Sequence, residues 1–101
     1  MAALDFYVVN HLSKHPTVDA TITCVGAGAT VGTLHFIKDG VALPANVPGP
    51  PPRVHFPISQ FNDVITTLRY EKPLVFNFTP SNGIGTVGTS TREPVGEQEA
   101  V

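Results

Sequence analysis

The chain has 101 residues, of which 14% are charged and 42% hydrophobic, with a formal net charge of −2. An average soluble domain carries roughly 25% charged residues, so this surface is poor in charge, and the hydrophobic share excludes a wholly disordered chain. Nine glycines and ten prolines favour turns over long helices, and the length suits one domain with a modest core.

The six basic residues, Lys14, Lys38, Arg53, Arg69, Lys72 and Arg92, are scattered, whereas a nucleic-acid-binding domain concentrates them in a stripe. A single cysteine, Cys24, forms no intramolecular disulfide, and Asp5 interrupts the first apolar residues, so no secretory signal is read and the expected location is cytoplasmic. No segment reaches the roughly 20 apolar residues of a membrane helix. On this reading the Asn77-Phe78-Thr79 sequon has no route to the glycosylating enzymes.

In chain order, residues 5–12 read as a strand with apolar side chains on both faces, Phe6 and Val8 on one and Tyr7 and Val9 on the other. Residues 20–25 alternate more cleanly, with Ala20, Ile22 and Cys24 inward and Thr21 and Thr23 outward. The Gly26–Thr30 stretch predicts a hairpin turn into a third strand over residues 31–38, in which Leu34 and Phe36 point inward and Thr33 and His35 outward. Prolines 44, 48, 50, 51 and 52 make residues 43–53 a stiff, polyproline-like crossing loop. A short strand over Val54–Phe56 follows.

One helix is expected. Phe61, Val64, Ile65 and Leu68 recur at helical spacing, Ser59 is placed as N-cap, Asp63 and Arg69 complement the dipole, and Pro73 stops the run. Because Val64-Ile65-Thr66-Thr67 is β-branched, this helix must dock on a sheet to be stable. Leu74, Phe76 and Phe78 mark a central strand, Ser81-Asn82-Gly83 a turn, and Ile84–Ser90 a Gly/Thr-rich strand suited to an edge or to close contact with another backbone. The expected fold is α+β: a mostly antiparallel sheet of five to six strands with one short helix packed on one face, in the order β-β-β-loop-β-α-β-β. Residues 1–91 form that single domain, and 92–101 read as a flexible acidic tail.

The chemistry is sparse. Gly26, Gly28 and Gly32 miss the dinucleotide spacing and precede a strand, so they mark a turn. Cys24 shares the phase of Ile22 and reads as an inert buried thiol. His35 and His55 occupy the polar phase of two strands and would meet if those strands are neighbours, but a catalytic zinc site needs three protein ligands and no third is evident. No cofactor is implied. Pro48-Gly49-Pro50-Pro51-Pro52-Arg53 has the spacing of an SH3 ligand, but a stiffened loop, which needs no partner, is the favoured reading. The aromatics fall mostly on inward phases, as core packing requires and a base-stacking platform does not.

These features predict a non-enzymatic binding or assembly module that self-associates through a charge-poor sheet face, with Tyr7, Val9, Thr21, Thr23, Thr33 and His35 as its interface. The partner is then a second copy, or another protein. The alternatives are a single-stranded nucleic-acid-binding domain on the same face and a small metal-dependent enzyme using His35 and His55.

Overall fold

A computed structural model describes residues 2–70 and 74–89. The fold is α+β, built from strands β1 (Ala2–Ala3), β2 (Phe6–His11), β3 (Val18–Gly26), β4 (Ala29–Ile37) and β5 (Arg53–Pro57), helix α1 (Phe61–Tyr70), and strands β6 (Leu74–Thr79) and β7 (Ile84–Thr89). The expected Pro73 helix stop and the 92–101 tail lie outside the described residues.

The strands divide between two sheets rather than one. β2-β3-β4-β5 form a four-stranded sheet, and β1-β6-β7 a three-stranded one. Within the larger sheet β4 and β5 are parallel while the other pairs are antiparallel. The crossing loop explains the exception: parallel neighbours need a connection of a dozen or more residues, and residues 38–52 provide it. The hairpin turn is tighter than expected, confined to Ala27 and Gly28 with φ of 53° and 77°. Two successive positive values define the primed turn whose twist matches its flanking strands.

Alternation drives the packing. Ala20, Ile22, Cys24, Leu34, Phe36 and Val54 point from the four-stranded sheet into one buried core, which Leu68 of α1 and Phe76 of β6 close from the other side. Phe36 stacks on Phe56 at 5.7 Å and meets Phe61 edge-on at 5.0 Å, so the helix start is anchored on the sheet. The stripe of Phe61, Val64, Ile65 and Leu68 packs against the core as its spacing required. Ser59 is not the N-cap. A single 3-10 turn over Ile58–Gln60 leads into the helix from Pro57, with no side-chain cap.

The proline segment is not an extended polyproline rod. Val47 and Arg53 exchange two backbone hydrogen bonds of 2.9 and 2.8 Å, folding Pro48–Pro52 back on itself. The loop is also tied into the domain. Asn46 donates through Nδ2 to the Gly83 carbonyl and accepts the His55 N–H at Oδ1.

Candidate functional site

The smaller sheet and α1 both cover the inner face of the four-stranded sheet, leaving its outer face without a covering layer among the described residues. The strand register assigns that face residue by residue. Val8 lies opposite Thr23, Thr23 opposite Thr33, Thr21 opposite His35, and His35 opposite His55. Cross-strand partners share a face, so Phe6, Val8, Thr21, Thr23, Thr33, His35 and His55 form one surface.

Two of the expected interface residues belong elsewhere. Tyr7 pairs with Cys24 and Val9 with Ile22, so both side chains lie on the inner face and pack against the core. Their places are taken by Phe6 and Val8, which are 57% and 46% exposed. The physical reason lies in the strand itself: both of its phases are apolar, and a period of two then identifies two faces without saying which is buried. Thr21, Thr23, Thr33 and His35 do occupy the outer face, half-buried by their neighbours.

Formal charge is confined to the margins of this surface. Asp19 and Lys38 form a 2.8 Å ion pair at one end, and Arg53 stands two residues before His55 on β5. Between them Thr21, Thr23 and Thr33 present only hydroxyls and methyls.

Parallel pairing of β4 with β5 brings His35 and His55 together, with ring centroids 5.8 Å apart in an edge-to-face arrangement. Burial lowers the His35 pKa to about 4, assisted by the positive charge of Arg53 and by His55 and His15. His55 is lowered by the same burial and by Arg53, against an opposing contact with the Ala45 backbone. Both rings are therefore neutral at pH 7. Among the described residues the His55 Nδ1 is buried without a hydrogen-bond partner, which is a costly state for a polar atom. No third His, Cys, Asp or Glu joins the pair into a ligand cluster among the described residues.

The remaining candidates resolve simply. Cys24 is fully buried and its thiol is pushed up to about 11 by desolvation, the signature of an inert thiol. Gly26 and Gly32 lie within strands and serve close approach: an added Cβ would run into the Ala3 backbone and the Phe76 ring respectively. No helix of the described residues is long and apolar enough to cross a membrane. An open cleft between α1 and β7 is lined by Phe56, Val64, Gly85 and Val87 together with the polar Asp63, Thr67 and Thr86. Sequence reasoning missed Asn46, because nothing local distinguishes an asparagine that ties a loop from one that merely turns it.

No family model, curated protein or solved structure matches this chain.

Proposed function

We propose that this protein is a non-enzymatic association module that joins a second copy of itself through the outer face of the four-stranded sheet. The observation that carries this reading is the exposure of Phe6 and Val8 beside a surface of threonines with no formal charge at its centre. Exposed apolar side chains are common singly, but grouped on a face with little desolvation cost they suit burial in an interface. The scattered basic residues argue against nucleic acid, whose affinity depends on clustered cations. Light scattering at micromolar concentration tests the proposal: a dimer or larger species is expected, and a clean monomer of 10.7 kDa removes it.

The His35–His55 contact supports a second reading, in which the paired neutral imidazoles hold a divalent transition metal. Titration with zinc, followed through the two ring signals, should shift both together; signals unchanged at about a hundred micromolar zinc, well above the affinity of any useful site, eliminate it.

A further inference from the structure

The free edge of the four-stranded sheet carries the self-association further. β2 pairs only with β3, so its other edge has no partner among the described residues. The hydrogen bonding fixes which groups that edge presents. Leu12 donates to the Asp19 carbonyl at 2.9 Å, in register with the β2–β3 ladder. Alternation then directs the backbone of Phe6, Val8 and Asn10 toward β3, and that of Tyr7, Val9 and His11 outward. Tyr7 and Val9 also pack their side chains on the core, so the strand is held from beneath while its outer N–H and C=O groups stay free.

Natural sheets blunt such edges with lysine, proline or a bulge. Phe6–His11 contains no lysine or proline, and its register with β3 runs without a shift. We infer that β2 pairs antiparallel with β2 of a second copy, across a two-fold axis at Val8, joining two four-stranded sheets into one of eight strands. This rests on the self-association reading and places its contact at the edge of the sheet rather than across the open face. In this register Tyr7 of each copy exchanges hydrogen bonds with Val9 of the other, and the two Val8 side chains meet at the closely spaced, non-hydrogen-bonded position. Phe6 of each copy lies diagonal to Val8 of the other, so the most exposed apolar pair on the open face becomes one strip across the junction.

The ends of the strand are complementary as well. Asp5 precedes β2, whereas Lys14 follows it. Antiparallel pairing sets the acidic end of one copy beside the basic end of the other, twice over by symmetry; a parallel arrangement would place like beside like. A second copy is therefore the occupant that this edge fits.

Amide exchange measured by NMR on the associated wild-type chain tests the inference, together with Val8→Lys. Protection of the Tyr7, Val9 and His11 amides that disappears on dilution to monomer is expected. Val8→Lys places two lysine side chains, with Cβ atoms about 5 Å apart, on the axis and should weaken association at least about tenfold, with its circular dichroism melt retained because Val8 is exposed. An associated species whose Tyr7, Val9 and His11 amides exchange as freely as in the monomer overturns the β2 pairing while leaving association through the open face intact. A dissociation constant unchanged by Val8→Lys overturns it too. A wild-type chain that stays monomeric at the micromolar concentrations of the light-scattering test removes both readings.

Discussion

Ala27 holds a backbone conformation that its side chain opposes. Its φ of 53° is left-handed, which costs a residue with a Cβ about 1–2 kcal/mol, and the turn is held only by the fit of its neighbours and by the Asp5 carboxylate, which accepts the Ala27 N–H at 2.8 Å. Asparagine tolerates this region better and restores the preferred pairing with Gly28, so Ala27→Asn should raise unfolding stability by about 0.5–1 kcal/mol in urea denaturation. His35 gives a second prediction at this scale. In the folded chain its pKa is about 4, against 6.5 for an ordinary histidine, chiefly through burial, with Arg53, His55 and His15 adding to it. As pH falls below about 6.5 the unfolded chain therefore takes up a proton that the folded chain refuses until about 4, and the protonated form favours unfolding. Stability should decline across that window. In NMR titration the His35 ring should remain neutral at pH 5; a midpoint near 6.5 would contradict the burial that the β4–β5 pairing imposes.

At the scale of elements, two glycines set how closely the sheets approach. Gly32 of β4 lies beneath the Phe76 ring of β6, and Gly85 of β7 lies against Val54 of β5, with no room for a Cβ at either place. Gly32→Ala should cost about 1–3 kcal/mol, because a rigid aromatic ring must move within a packed core. Gly88 of β7 is the control: among the described residues nothing lies within 4 Å of where its Cβ would stand and its φ is not left-handed, so Gly88→Ala should be neutral or slightly stabilising. Equal losses from the two variants in thermal melts would show that strand propensity, not sheet spacing, governs both. Neither contact is visible in the sequence, where Gly32 looks like part of a turn. What was legible there is local. The alternation of Ala20, Ile22 and Cys24, the helical stripe of Phe61 to Leu68 and the Asn82-Gly83 turn all act within a few residues, and each took its expected form. Pairing is not local. Whether one sheet forms or two, and whether β5 runs parallel to β4, depends on where loops return the chain, and the alternation is the same in every case. The candidate site divides in the same way: the polar phase of His35 and His55 was readable and made their meeting conditional on adjacency, while Phe6 and Val8 could not be told from Tyr7 and Val9.

For the whole molecule, the charge-poor surface and the two-sheet architecture are joined by one loop. The chain leaves β4 at one end of the large sheet and must return to start β5 in parallel, and the loop that makes this return passes close to the β6–β7 turn. Asn46 fixes it to both layers at once, donating to Gly83 at 2.8 Å and accepting from His55 at 2.7 Å. The second of these bonds positions His55 beside His35, so the same side chain that staples the layers also sets one rim of the outer face. Asn46→Ala would leave the His55 N–H and the Gly83 carbonyl without protein partners, at a cost of about 1–3 kcal/mol. Asn46→Asp keeps an acceptor for His55 but turns a carboxylate toward the Gly83 carbonyl, so it should recover only part of the loss. Denaturation midpoints of the three proteins, read with exchange of the His55 amide, should therefore rank wild type above Asn46→Asp above Asn46→Ala. Equal midpoints with an unprotected His55 amide would mean that the Val47–Arg53 hydrogen bonds alone hold the loop in place, and that the two layers are joined only through their apolar core.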